Sequence, residues 1–169
     1  TDKEVNDTID YAKSLGLGVM LKLQVDLIHA PNTSIWRGFI GVNMTESDWD
    51  SWFASYTSVI LHYAGIAEAR GVELFPVSTE LVLASHKESH WRAVIKEIRK
   101  VYSGRLTDAA NWSPPVWGHG GEVVDKKWWD AVDVIGIDEY YMEKKHRLAF
   151  PNGTFPDVDD LMKLWEGIG

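Results

Sequence analysis

Glu80 closes a largely apolar run, Gly71-Val72-Glu73-Leu74-Phe75-Pro76-Val77-Ser78-Thr79. The run reads as a short buried strand that hands a carboxylate to its own C-terminal end. In a parallel α/β protein that end of a strand is where chemistry is done, so Glu80 is the first candidate for an acid–base group. A surface glutamate at a strand terminus is the simpler alternative. Three other predicted strands also finish in polar or aromatic residues: Asp26 with His29, Asn111 with Trp112, and Asp138 with Tyr140 and Tyr141. Trp36 and Arg37 lie in the loop after the first of them. Four such ends converging on one face predict a pocket. Indole beside polar groups suits a sugar ring, whose flat C–H faces stack on it.

Positioning these residues takes alternating strands and helices. Val5, Ile9, Ala12 and Leu15 repeat at helical spacing before Gly16, and residues 19–25 then read as a strand. Thr45 with Asp48 three residues later marks a helix start. From there Trp49, Trp52, Phe53, Tyr56, Val59, Ile60, Tyr63, Ile66 and Ala67 define one face of a long helix ending near Gly71. After the Glu80 strand, residues 91–102 predict a helix closed by Gly104, and 105–110 a weaker strand. A helical turn at Trp128-Trp129, a strand over 132–137 and a helix over 157–167 complete the series. This is an α/β pattern of parallel units in one domain over residues 1–169. Links from helix to strand are short and glycine-marked, whereas those from strand to helix (26–44, 81–88, 111–126, 138–156) are long. Long loops on one side of a parallel sheet build a site.

Composition narrows the function. The 169 residues are 45% hydrophobic, enough for a packed core, and carry a net charge of −8, which disfavours a nucleic-acid partner. Nothing predicts membrane insertion or a signal peptide. There is no cysteine, hence no thiolate nucleophile and no zinc–thiolate centre. His86 and His90 are four apart but lack a third ligand and read as a solvated helix start, so neither a metal nor a cofactor is expected. All five asparagines stand in Asn-x-Ser/Thr: Asn6, Asn32, Asn43, Asn111 and Asn152. That pattern predicts a secreted or lumenal glycoprotein.

Several phrases, in order, resemble clan A glycoside hydrolases, and among them the family 113 endo-β-mannanase-like enzymes. They are Val19-Met20-Leu21-Lys22, Ile35-Trp36-Arg37-Gly38, Leu61-His62-Tyr63-Ala64, Val72-Glu73-Leu74-Phe75 with Thr79-Glu80-Leu81, and Arg99-Lys100-Val101-Tyr102-Ser103-Gly104. Ala110-Asn111-Trp112 and Trp128-Trp129-Asp130, running into Val134-Ile135-Gly136-Ile137, follow. The resemblance implies the third to sixth strands of a TIM-type (β/α)8 barrel, with Glu80 as acid/base at the end of the fourth. Many clan members place Asn before that glutamate; this chain has Thr79. The implied nucleophile belongs to a seventh strand beyond the chain.

A retaining hydrolase needs one carboxyl group that protonates the departing oxygen and another, about 5–5.5 Å away, that attacks the anomeric carbon. On that reading Glu80 donates the first proton and later activates water. Asp26, His29 and Arg37 bind sugar hydroxyls, Trp36 or Trp112 stacks, and Tyr140 or Tyr141 orients the nucleophile. Asn111 and Asp138 complete the expected binding set. Arg37 serving only in a salt bridge, and Asn111 only capping a loop or carrying a glycan, are the alternatives. The expected ligand is a β-linked poly- or oligosaccharide, mannan by resemblance. The rival is a non-catalytic, glycosidase-derived carbohydrate-binding or structural glycoprotein, and open sheet edges predict association with whatever completes the barrel. Asn111 is the poorest glycan acceptor, because Trp112 fills its sequon and Pro114 follows. Mass mapping after glycosidase release should find Asn6, Asn32, Asn43 and Asn152 more fully occupied than Asn111; a fully occupied Asn111 would argue against an open cleft at that strand end.

Overall fold

In a computed structural model, residues 1–28, 35–112 and 121–138 are described, all within the compact unit Thr1–Asp138. Helix α1 (Asp2–Ser14) opens with a capping box between Thr1 and Glu4 and buries Ile9. Leu15, spaced with Val5, Ile9 and Ala12, is exposed just past its end. Helix α2 (Glu46–Ala69) starts at the predicted cap: the Thr45 hydroxyl accepts from the Asp48 amide, and Asp48 accepts from the Thr45 amide. It stops at Gly71, whose φ of +59° lets the Val72 amide return to the Ala67 carbonyl. Trp49, Phe53, Tyr56, Ile60, Ala64 and Ala67 form its buried face. Val59, assigned to that face from spacing, is exposed.

Strands β1 (Leu74–Thr79), β2 (Arg105–Asn111) and β3 (Ile137–Asp138) make a parallel sheet in that order. Helix α3 (Glu88–Ile98) joins β1 to β2, and the single turn α4 (Glu122–Asp125) follows β2. Residues 19–25 were expected as a full strand but bridge β1 only at Met20–Leu74. Proline explains the interruption. The Leu74 amide and carbonyl bond Val19 and Leu21, but two residues on stands Pro76, which has no N–H to give. The Thr79 hydroxyl restores contact by donating to the Leu23 carbonyl at 2.6 Å. The β1–β2 register also shifts between Pro76 and Thr79.

The predicted strand over 132–137 is shortened to β3, although its approach runs beside β2. The Leu106 carbonyl accepts from the amides of Asp133 and Val134, and Gly136 accepts from Ala110. Thr107 caps the Val134 carbonyl with its hydroxyl, taking an acceptor that a regular ladder would use. Gly136 is demanded by proximity: a Cβ there would sit 2.1 Å from the Asp108 carbonyl oxygen.

Aromatic packing joins α2 and α3 to the segment after α4. Trp91, fully buried, meets the edges of Phe53 and Tyr56 at 5.0 and 5.5 Å and stacks on Trp128 at 5.3 Å. Its indole N–H donates to the Ala84 carbonyl, and Trp128 donates to Ser85. The helical turn expected at Trp128-Trp129 is a 3-10 turn over Trp129–Ala131, with Trp128 in the core. Among the described residues no helix is long and apolar enough to cross a membrane. Trp91→Ala should lower unfolding free energy by about 3–5 kcal/mol in denaturant titration; a loss under about 1 kcal/mol would mean that this aromatic layer does not carry the helix packing.

Candidate active site

Glu80 follows β1 immediately and is almost wholly buried, with 8% of its side chain exposed. Its φ of 51° is left-handed, a conformation that costs a side-chain-bearing residue about 1–2 kcal/mol. Thr79 pairs with Ala109 on β2, and the Glu80 amide donates to the Ala109 carbonyl at 2.8 Å. The left-handed turn at Glu80 ends strand alternation and carries its carboxylate to two donors. Arg37 Nη1 donates to Oε2 at 2.6 Å, and Asn111 Nδ2 donates to Oε1 at 3.2 Å. Arg37 Nη2 reaches Asp26 at 2.9 Å, while the guanidinium lies 5.6 Å from the centre of the Trp36 ring. The arrangement is complementary to a carboxylate: charge on one oxygen, a neutral amide on the other.

Asp138 pairs in register with Asn111, and its side chain forms an ion pair with Lys22. Trp112 is half-buried beside Asn111. Asp26, Trp36, Arg37, Glu80 and Asn111 therefore form one connected group, with Asp138 and Trp112 adjoining it along the chain and in register. His29, Tyr140 and Tyr141, with Asn32 and Asn152, lie outside the described residues. A largely apolar concavity of about 850 Å³ lies beside the group, lined by Asp26, Ile35, Phe39, Trp52 and Val59 among others. It touches the group only at Asp26 and does not reach Glu80.

A family profile decides what this group belongs to: that of Glycoside Hydrolase Family 113 matches residues 1–155. The chain belongs to glycoside hydrolase family 113. A solved structure entitled a complex of a family 113 β-1,4-mannanase is 36% identical, with a TM-score of 0.72 over 89% of this chain and 47% of its own. Another β-1,4-mannanase of the family is 34% identical, with a TM-score of 0.71 over 92% and 50%. The β-mannanase AaManA from Alicyclobacillus acidocaldarius, in complex with ManMIm, is 33% identical, with a TM-score of 0.65 over 81% and 41%. The chain thus spans about half the length of the solved family 113 structures it matches. No curated protein sequence gives a significant match.

This family 113 chain also contains a buried charge cluster that sequence reasoning missed. Lys126 forms ion pairs with Asp108 and with Glu122, the latter at 3.1 Å, and all three side chains are fully buried. The ammonium lies 4.5 and 4.8 Å from the centres of the Trp128 and Trp129 rings. Asp108 also accepts from the Ser78 hydroxyl, and Glu122 accepts from the Asn111 amide at 2.7 Å. Two signals were present: an acid in the apolar run Leu106-Thr107-Asp108-Ala109-Ala110, and Glu122 four residues before Lys126. His90, by contrast, pairs with Asp50 and stacks on Phe53, and His86 lies edge-on to Trp49. The sequon asparagines differ in setting. Asn6 is half-buried on α1, Asn43 is exposed with a φ of 60°, and the Asn111 amide serves Glu80.

Burial pushes the Glu122 carboxyl up to about 7; Lys126 opposes the shift and Asp108 reinforces it. Burial, with Asp108 nearby, also raises the Tyr56 phenol above its ordinary range. A carboxyl raised in the folded state contributes stability fully below its ordinary value of 4.5, and loses that contribution as pH rises through about 7. Glu122→Gln cannot ionise. Between about pH 5 and about pH 8 the wild-type Tm should therefore fall relative to that variant, by on the order of a few degrees. Parallel Tm curves would show that Glu122 titrates normally.

Proposed function

We propose that the protein carrying this chain is a retaining glycoside hydrolase acting on a β-linked mannan, with Glu80 as its acid/base. The observation that carries the reading is a buried carboxylate, at the C-terminal end of a parallel strand, in a chain of family 113. The solved relatives are named as β-mannanases, which supports the substrate class. Protonated Glu80 gives its proton to the departing glycosidic oxygen while a nucleophile outside this chain attacks the anomeric carbon. The same carboxylate then takes a proton from the water that releases the sugar.

In this reading the bound sugar displaces the Arg37 contact before the donor step. Asp26 already holds the other arm of the guanidinium and keeps it when Oε2 is freed. Arg37 Nε is buried without a partner among the described residues, a donor that a hydroxyl-rich ligand would satisfy. Asp26, Arg37 and Asn111 bind hydroxyls, and Trp36 or Trp112 provides the stacking surface. Residues 19–25, β1, β2 and β3 are read as the third to sixth strands of a (β/α)8 barrel. The Lys22–Asp138 ion pair supports this placement. Those residues stand three strand spacings apart, about 14 Å in a flat sheet, so their side chains meet most readily across a sheet curled inward. The exposed edges, with Met20 at one side and Ile135 at the other, are then covered by the rest of the barrel. The five sequons support passage through a secretory compartment, with the exposed Asn43 a ready acceptor.

Glu80→Gln in the complete protein should cut turnover of mannan about 10²–10⁴-fold and leave mannooligosaccharide binding intact. Aryl mannosides with good leaving groups, which need no proton in the first step, should still form the glycosyl-enzyme. Unchanged mannan turnover would remove Glu80 from the mechanism.

A further inference from the structure

We propose that Glu122 is a positioning residue for Glu80, acting through Asn111, with Lys126, itself paired to Asp108, holding its carboxylate in place. The inference rests on the reading of Glu80 as acid/base. It begins from a continuous chain of contacts. Glu122 Oε2 accepts the Asn111 backbone N–H at 2.7 Å, and the Asn111 side-chain amide donates to Glu80 Oε1 at 3.2 Å. Glu122 Oε1 faces Lys126 at 3.1 Å, and Lys126 pairs in turn with Asp108. Asp108 accepts from Ser78, two residues before Glu80 on β1. The cluster therefore grips both strands that deliver the site, β1 at Ser78 and β2 at Asp108 and Asn111.

Three fully buried charges are a poor source of stability, because desolvating them consumes most of what their attraction returns. The geometry gives them a different use. Each carboxylate spends one oxygen on Lys126 and the other on a residue at or near a strand end. Asn111 is thereby held from behind by its backbone, and its amide is left aimed at the carboxylate of Glu80. Hydrophobic replacements would fill the same space without fixing Asn111.

The cluster is also unbalanced. Among the described residues the charged groups facing Glu122 are Lys126 at the end of α4 and Asp108 on β2. Glu80 and Arg37 lie beyond Asn111, and neutral Trp128 and Trp129 lie over the ammonium. One cation is set against two carboxylates, and Glu122, pushed up to about 7, changes charge near neutrality. Its protonation weakens the acceptor that holds Asn111, so the grip on Glu80 loosens as pH falls through that region.

The test uses the full-length protein with two readouts. The first is the Asn111 backbone amide proton, followed by NMR from about pH 5 to about pH 9. It should titrate once near neutrality in the wild type and in Glu80→Gln, and stay flat in Glu122→Gln; a flat signal in the wild type overturns the link. The second is steady-state kinetics on mannooligosaccharide. Glu122→Gln should lower kcat about 10- to 100-fold with little change in KM, and should delete one ionisation near neutrality from the kcat profile. A purely structural role would lower Tm and leave kcat per folded molecule and the profile unchanged, and that result overturns the proposal. Glu80→Gln separates the two failures. Normal mannooligosaccharide turnover in that variant overturns the acid/base assignment, and the catalytic meaning of the link with it, even if the amide still titrates.

Discussion

A carboxylate withdrawn from water must find partners for both oxygens, and much of the described site follows from meeting that need at Glu80. Leaving a buried charge unpaired costs about 3–5 kcal/mol, against about 1–2 kcal/mol for a left-handed residue. The comparison shows why the backbone yields: Glu80 accepts φ of 51° so that its side chain reaches Arg37 and Asn111. Arg37 comes from the loop after residues 19–25 and Asn111 from the last position of β2. One carboxylate thus joins Arg37 to the last residue of a neighbouring strand.

The scaffold gives that arrangement a rigid floor. α2 and α3 meet through Trp52, Phe53, Tyr56 and Trp91, and the segment after α4 joins them through Trp128. Within this apolar layer the Tyr56 hydroxyl donates to the Val77 carbonyl and Tyr102 to Val72, so the helical layer is hydrogen-bonded to β1 and to the residue pair before it. The Asp108–Lys126–Glu122 cluster is a buried charged group beside this layer, and it lies where β1 and β2 hand over to their site residues. Packing sets where the strands run; the buried charges set where their ends point.

Much of this was legible in the sequence, for physical reasons that differ by element. α2 announced itself twice, through the Thr45–Asp48 cap and a long apolar stripe, and only Val59 fell outside it. Glu80, Asp26 and Asn111 stand out in the sequence as polar groups at the ends of apolar runs, and Arg37 as a cation in the loop after Asp26; the structure brings the four into contact. The order of the ladders was less visible. Residues 19–25 have strand composition, but whether they pair depends on a donor that Pro76 lacks fifty positions later. The 132–137 strand is likewise cut short by the Thr107 hydroxyl, a competitor on another element. Glu122 and Lys126 sit in a stretch whose glycines and prolines read as loop, so their four-residue spacing passed unused. The left-handed turn at Glu80 is set by tertiary partners alone, and no local pattern encodes it.

The most direct measurement is a crystal structure of the full-length protein carrying Glu80→Gln, with mannooligosaccharide soaked in. The substituted side chain should lie within hydrogen-bonding reach of the scissile glycosidic oxygen, with Arg37 turned toward Asp26 and a second carboxylate about 5–5.5 Å away facing the anomeric carbon. Sugar bound elsewhere, with residue 80 still closed off by Arg37 and no second carboxylate opposite it, would contradict an acid/base role for Glu80.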